Sequence, residues 1–463
     1  MAEAGGILAE IVSRKRIDVA SRLTSVCVEA AEPTRRSLKA ALARPGARFI
    51  MEVKRHSPAR GALRSGADAG ALARAYRGAA DAISVLTDAP YFGGSLEDLR
   101  AVRREFLGPI LAKDFIVDPR QVAEARLHGA DAVLVILSVL ADSEAAAVMA
   151  EARRLGMDLL VEAHDAEEVR RAVLLGADII GINNRNLKTM EIDLGTTERL
   201  AGLVPEGTLV VSESGIGGRS DVERLAPYAD AFLVGSSLMG ADNPAQAARA
   251  LAFGRVKVCG ITDAHDAEMA TDHGAAYAGV VMVPNTPRAV SCREAEAIAE
   301  GAGVPMVGVF RNEKPMQVAL NARTLGLKAV QLHGDEDALY IRGLRTLLPE
   351  ETEIWAAAAV GRDVPSPRLG SDRTLFDTKV QGRSGGTGVP FDWSRLNGRK
   401  DLSRAVLAGG LKPANARAAA RVGAYALDVG SGVEMAPGRK DAGKLNAFFE
   451  ALRLPVRGGT RPC

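Results

Sequence analysis

Short apolar runs of five or six residues recur along this chain, separated by longer stretches rich in Ala, Arg and Glu. Eight such runs occupy the first half, at 49–54, 82–87, 109–114, 132–137, 158–163, 179–184, 209–214 and 231–236. Eight more occupy the second, at 255–260, 278–283, 306–310, 329–333, 353–358, 374–378, 404–409 and 425–430. Buried strands alternating with helices imply parallel βαβ units, and eight units can close into a barrel. An open doubly wound sheet is the rival arrangement.

Two pairs of small-residue turns favour the barrel. Ser214-Gly215 and Gly235-Ser236 follow the seventh and eighth runs of the first half, and Gly409-Gly410 and Gly430-Ser431 follow those of the second. The outer residues of each pair, 214 and 236 or 409 and 431, stand 22 positions apart, and corresponding residues of the two halves are 195 apart. A bare backbone after strands seven and eight is how a (β/α)8 barrel grips a phosphate. The reading is therefore an α/β chain of two consecutive (β/α)8 barrels, residues 1–254 and 255–463, each holding a phosphorylated ligand. Residues 1–48 read as a helical extension broken at Pro33, placed either to cap the barrel floor or to frame its mouth. The join near Phe253-Gly254 has almost no linker, which predicts two barrels in fixed contact.

Length and composition narrow the function classes. A chain of 463 residues suits two barrels of roughly 200–250 residues each. A formal charge of +2, from 59 basic and 57 acidic residues, gives no electrostatic case for nucleic acid or a membrane surface. Aromatic residues at 4% offer little for base stacking. Cys27, Cys259, Cys292 and Cys463 form neither a CxxC pair nor a disulfide framework, which points to a reducing compartment. The N-terminus lacks a signal peptide's apolar core, and no apolar segment approaches 18 residues. These features predict a soluble, cytoplasmic, monomeric protein acting on small molecules.

Polar residues at the ends of the apolar runs carry the candidate chemistry, because reacting groups of a barrel sit at the C-terminal strand ends. The first half places Glu52, Lys54, Lys113, Glu162, Asn183 and Ser214 there. One buried charge has a plain explanation as an ion pair; two lysines and two glutamates from separate strands converging on one mouth favour a working site. The loop after Lys54, R-H-S-P-A-R-G, carries Ser57 and reads as a mobile lid that also touches phosphate. In the second half Cys259 ends the first strand, Asp377 ends the sixth, and Arg288 offers a fork for a carboxylate. A thiol and a carboxyl across one mouth suit a proton-shuttling isomerase. His333 ends the fourth strand, but no HxH or HExxH pattern exists, so metal catalysis is not expected.

These residues carry a family resemblance. The first half, through E-V-K-R-H-S-P, L-A-K-D-F-I-V-D-P, G-I-N-N-R-N-L and S-E-S-G-I, resembles indole-3-glycerol-phosphate synthase. The second, through K-V-C-G-I-T, V-Q-L-H-G-D-E, L-A-G-G-L and S-G-V-E-M-A-P-G-x-K-D, resembles phosphoribosylanthranilate isomerase. The order and short join are similar to fused bifunctional enzymes of tryptophan biosynthesis. For the synthase the resemblance implies Lys113 as general acid in ring closure and Glu162 as base in the later dehydration. It implies Glu52, Lys54, Asn183 and Ser214 as further active-site residues, with Lys54 and Arg185 suited to the anthranilate carboxylate. Ser57, Gly215, Gly235 and Ser236 match phosphate contacts. For the isomerase it implies Cys259 as general base and Asp377 as general acid of an Amadori rearrangement, which requires the aspartate to be partly buried. Arg288 would hold the substrate carboxylate, Gly410, Ser431 and Gly432 match the phosphate region, and Asp428 lines the site. No cofactor is implied.

Two positions depart from the family pattern: His56 where a small or apolar residue is expected, and Gly430 where Ser or Asn is expected. Three other readings compete: one active barrel beside a stabilising partner, a non-catalytic phosphosugar binder, and a different sugar-phosphate aldolase or isomerase on the same fold. In the last of these Lys113 would be a Schiff-base lysine.

Overall fold

The apolar runs become strands whose ends lie within about two residues of the sequence-based limits. The structure, a computed structural model, describes residues 7–57, 61–62, 64, 66–187, 189–380, 383–384 and 390–458. The chain divides into two compact units, one of residues up to Ala252 together with those from Leu454 onward, the other Phe253–Arg453.

In the first unit the strands are β1 Arg48–Val53, β2 Ala82–Leu86, β3 Ile110–Lys113, β4 Ala132–Ile136, β5 Asp158–Ala163, β6 Ile179–Asn183, β7 Leu209–Glu213 and β8 Ala231–Val234. Each pairs in parallel with the next and β8 pairs with β1, so the barrel closes. Closure buries both faces of each strand, which is why the runs are apolar throughout rather than alternating. Ile50, Leu111, Leu134, Leu160, Ile179, Val211 and Leu233 point inward and pack as one core. Side chains two residues further along share that inward face. This periodicity aims Glu52, Lys113, Glu162, Asn183 and Glu213 into the mouth.

The N-terminal extension serves both ends of this barrel. Helix α1, Ile7–Arg22, carries a buried Lys15 whose Nζ lies 2.6 Å from Asp88 and 2.7 Å from Asp114, both just beyond strand ends at the mouth. At the opposite end Leu38 and Leu42 join the barrel core, and the Ser37 hydroxyl donates to Asp158 at the start of β5 over 2.8 Å. The chain's last described residues also belong to this unit. Ala47 N–H donates to Leu454 O at 2.8 Å, Arg457 N–H to Ala226 O at 3.0 Å, and Arg457 Nη2 to Val204 O at 2.5 Å.

In the second unit the strands are β9 Val256–Cys259, β10 Tyr277–Val281, β11 Met306–Phe310, β12 Ala329–Leu332, β13 Glu353–Val360, β14 Arg373–Val380, β15 Ala405–Leu407 and β16 Ala426–Val429. Consecutive strands again pair in parallel, with β9 against β16 closing the ring. Its core centres on Trp355, stacked edge-on to Tyr277 at 5.5 Å, with Val307, Ala329, Ala357, Leu375 and Ala426. The expected alternation lapses after β13, where no helix precedes β14, while between β14 and β15 the only helical segments among the described residues are the short 3-10 turns Trp393–Leu396 and Leu402–Arg404. Residues 361–372, G-R-D-V-P-S-P-R-L-G-S-D, hold two prolines and two glycines. Each proline removes a donor and steers the residue before it away from helical geometry.

Candidate active sites

In the first barrel Glu52, Lys54, Lys113, Glu162, Asn183, Arg185, Ser214, Gly215, Gly235 and Ser236 all line one cavity of about 300 Å³. Leu8 and Ile11 of α1 close part of its wall, so the extension does frame the mouth. Lys113 stands at the centre of the charge. Its Nζ lies 2.7 Å from Glu213, 3.7 Å from Glu162 and 4.0 Å from Glu52. Lys54 Nζ lies 2.6 Å from Glu52.

Two glycines make room for this cluster. A Cβ on Gly181 would fall 2.0 Å from Glu213 Oε1, and one on Gly235 would fall 2.3 Å from Glu52 Oε2. The carboxylates therefore occupy the volume a side chain would need.

Burial and charge together set the protonation of the mouth. Burial alone would drive Lys113 toward neutrality, but Glu213, Glu162 and Glu52 outweigh it and raise the ammonium's pKa. Burial opposes the charge of Glu52 and Glu162 as well; Lys54 and Lys113 hold Glu52 low, and His164 and Lys113 hold Glu162 low. Glu213 goes the other way. Burial, with Glu162 and Glu52 adding to it, pushes its pKa up to about 7 against the pull of Lys113. Three acids facing one central ammonium thus leave Glu213 as the group that takes a proton most readily.

The turns after β7 and β8 meet: Ser237 Oγ donates to Ile216 O at 2.9 Å. Ser214 adopts a left-handed φ of 66° and Gly215 one of 88°. A side chain at Gly215 would strike Ile192, 2.4 Å from its Cβ position. Arg185 reaches the cavity from a loop tied down by Asn184, whose side chain donates to Ser212 Oγ at 3.0 Å and to Ser214 O at 3.1 Å. Ser57 lies in a two-residue hairpin with Gly61–Ala62, and its side chain falls outside the described ones. His56 is exposed, with Nδ1 3.2 Å from Tyr91 O.

In the second barrel Cys259 ends β9 and the buried Asp377 lies on the inward face of β14, two residues beyond Leu375. Asp377 Oδ1 accepts the Thr378 N–H at 2.7 Å, and Oδ2 lies 3.4 Å from His333 Nε2. Asp428 is locked by the fully buried Lys257, whose Nζ donates to its two oxygens at 3.1 and 3.0 Å. Arg288 forms a forked pair with Glu434, 2.9 Å through Nε and 2.6 Å through Nη2. Lys440 bridges Glu434 at 2.8 Å and Cys259 O at 2.6 Å. Burial raises the Cys259 thiol and Asp428 adds to it, against Lys257 and Lys440.

Here too the two glycine turns touch. A Cβ on Gly432 would sit 1.9 Å from Leu411 O, so the Gly409-Gly410-Leu411 turn rests directly on the Gly430-Ser431-Gly432 turn. Gly410 has a φ of 65°, while Gly430 has −121°, and a Cβ there would meet nothing closer than Cys259 O at 3.6 Å.

Sequence reasoning singled out neither Glu213 and His164 in the first mouth nor Lys257, Glu434 and Lys440 in the second. Glu213, His164 and Lys257 stand two residues from Val211, Glu162 and Cys259, so the period of two was a signal for them; Glu434 and Lys440 lie on a hairpin beyond β16 and carried none.

The description of indole-3-glycerol phosphate synthase matches residues 8–251, and that of N-(5'phosphoribosyl)anthranilate isomerase matches residues 256–451. The tryptophan biosynthesis protein TrpCF of Vibrio parahaemolyticus is 46% identical over 461 residues, covering 98% of this chain and 95% of that protein. TrpCF of Vibrio cholerae is 46% identical over 407 residues, covering 88% and 86%. That of Salmonella typhi is 43% identical over 453 residues, covering 96% and 99%.

Proposed function

Since this chain belongs to the family of bifunctional tryptophan-biosynthesis enzymes that join an indole-3-glycerol phosphate synthase to a phosphoribosylanthranilate isomerase, we propose the following division of labour and residue roles. The second barrel isomerises N-(5-phosphoribosyl)anthranilate to the carboxyphenylamino-deoxyribulose phosphate, and the first barrel closes that product to indole-3-glycerol phosphate with loss of carbon dioxide and water.

In the isomerase, Asp377 gives a proton to the ribose ring oxygen as the bond from that oxygen to C1′ breaks, leaving a Schiff base. Cys259, as thiolate, takes the proton from C2′. The electron pair of that bond moves to the nitrogen side, giving an enolamine that tautomerises to the ketone. Lys257 and Lys440 favour the thiolate against burial. Arg288 keeps Nη1 free of the fork to Glu434 and holds the substrate carboxylate. Gly410, Ser431 and Gly432 receive the phosphate, and Asp428 lines the site.

In the synthase, Lys113 donates a proton to the oxygen of the ketone as the aromatic carbon attacks it. The observation that carries this reading is the ring of buried carboxylates at 2.7, 3.7 and 4.0 Å from its Nζ. They keep the amine protonated, a state suited to an acid and unsuited to forming a Schiff base. Carbon dioxide then leaves from the ring carbon and aromaticity returns. Glu162 removes a proton as the hydroxyl departs as water, the leaving oxygen taking its proton from Lys54 or Glu52, with Asn183 and Ser214 completing the site. Lys54 and Arg185 hold the anthranilate carboxylate, and Ser57, Gly215, Gly235 and Ser236 the phosphate.

Borohydride treatment in the presence of substrate tests the Lys113 assignment. No covalent adduct is expected, and trapping on Lys113 would replace the acid role with a Schiff-base one. The scattered cysteines support a reducing, cytoplasmic setting, checked by cell fractionation, and a monomeric state is checked by the molar mass in light scattering.

A further inference from the structure

His164 lies just beyond β5, at the entrance to helix α2, Ala166–Leu174, and its side chain is 12% exposed. Both ring nitrogens lie beside carboxylates: Nδ1 is hydrogen-bonded with Glu168 Oε2 at 3.0 Å, and Nε2 is 3.2 Å from Glu162 Oε1, an ion-pair contact without hydrogen-bond alignment. A neutral imidazole has one N–H and one lone pair. In this setting it would press that lone pair against a carboxylate oxygen, so the geometry calls for the doubly protonated ring. Glu168 is itself fixed, since it also accepts the His164 backbone N–H at 2.7 Å.

We propose that His164 is a positioning residue of the synthase: as a cation clamped between Glu168 and Glu162, it selects Glu162 over Glu213 as the carboxylate beside Lys113 that stays ionised. The proposal rests on the reading of Glu162 as the base.

The groups facing Glu162 show why a selector is needed. Lys113 approaches from β3 at 3.7 Å, but it is closer to Glu213, at 2.7 Å, and is shared with Glu52. Lys113 alone would favour ionised Glu213 and leave the proton to Glu162. The imidazolium reverses that order. Burial would lower the ring's pKa, but Glu162 and Glu168, the two charged groups that face it, outweigh burial and push it up to about 10. The cation therefore persists through the neutral range.

The test uses the full-length chain with His164→Gln, which keeps a donor for Glu162 without the charge, and with Glu168→Gln, which withdraws the counter-ion. The acid limb of the synthase kcat profile should move up by about one pH unit in His164→Gln. At a pH on that limb, below the ordinary carboxylate range because Glu162 is held low, kcat should fall roughly tenfold, and it should recover by neutral pH. Glu168→Gln should move the limb the same way by less, and the isomerase rate of each chain should match the unsubstituted chain. A loss independent of pH, or an unmoved acid limb in both variants, would overturn the proposal and leave His164 a structural residue. Glu162→Gln separates the underlying reading: full synthase activity in that variant means Glu162 is not the base, whatever His164 does.

Discussion

Replacing Glu213 by Gln should strengthen the first barrel above neutral pH while weakening the synthase. Glu213 is 1% exposed, and its pKa is pushed up to about 7 by burial, with neighbouring Glu162 and Glu52 adding to it. A carboxyl whose folded pKa lies above its unfolded value stabilises the fold fully below the unfolded pKa. That contribution is lost as pH rises through the folded one. The span from the ordinary 4.5 to about 7 corresponds to about 3 kcal/mol at about 1.4 kcal/mol per pH unit. Gln carries no charge to bury and keeps an oxygen for Lys113, so part of that cost should be recovered, about 1–3 kcal/mol at pH 8. The assay is urea unfolding of the synthase barrel at pH 5 and pH 8 in both chains. Stability should fall between the two pH values more steeply in the unsubstituted chain, with the curves crossing below pH 7. A variant less stable at pH 8, or two parallel profiles, would refute the charge assignment of the mouth.

Cys259→Ala and Asp377→Asn should each abolish isomerase turnover and spare the synthase; an unimpaired isomerase in either would remove that residue from the acid–base pair. Because burial raises the Cys259 thiol, the thiolate is the minor form at neutral pH and the isomerase kcat/KM should climb as pH rises. A rate falling over the same range would contradict a thiolate base. Gly235→Ala would place a Cβ 2.3 Å from Glu52 Oε2 and 3.0 Å from its Cβ. It should cost about 1–3 kcal/mol of stability and displace Glu52 from Lys54, read as a synthase defect with normal isomerase. Residues 1–254 alone lack the hydrogen bonds from Ala47 N–H to Leu454 O and from Arg457 to Ala226 O and Val204 O. At about 1 kcal/mol each, the isolated barrel should keep its activity but unfold about 2–3 kcal/mol sooner, and a chain ending at Arg453 should show the same loss in urea.

The barrels were legible because closure makes each strand an apolar run that repetition can count. The missing helix between β13 and β14 was written in Pro365 and Pro367, which the count of eight passed over. Glu52, Lys54, Lys113 and Glu162 were legible because a charge at the tail of an apolar strand is anomalous by itself. Glu213 escaped because it stands between two serines in a motif noted for its turn, and its partner Lys113 is 100 residues away. The buried hubs Lys257, Glu434 and Lys440 escaped for the same reason: their significance lies in which strand or hairpin faces them. His164 reads in sequence as a polar residue before a helix, since Asp165 beside it supplies the cap, accepting from Glu167 and Glu168 N–H. Only the fold brings its two nitrogens between two carboxylates.

The central claim is that two separate sites act in sequence, Cys259 and Asp377 first and Lys113 with Glu162 second. The direct measurement supplies phosphoribosylanthranilate to three chains, unsubstituted, Cys259→Ala and Lys113→Ala, and follows substrate, ketose intermediate and indole-3-glycerol phosphate together. The unsubstituted chain should deliver the indole product. Lys113→Ala should consume substrate normally and accumulate the ketose, its synthase reduced roughly 10²–10⁴-fold. Cys259→Ala should leave substrate untouched yet convert added ketose at the unsubstituted rate. Loss of both steps in either variant, or ketose failing to accumulate in Lys113→Ala, would contradict two independent sites.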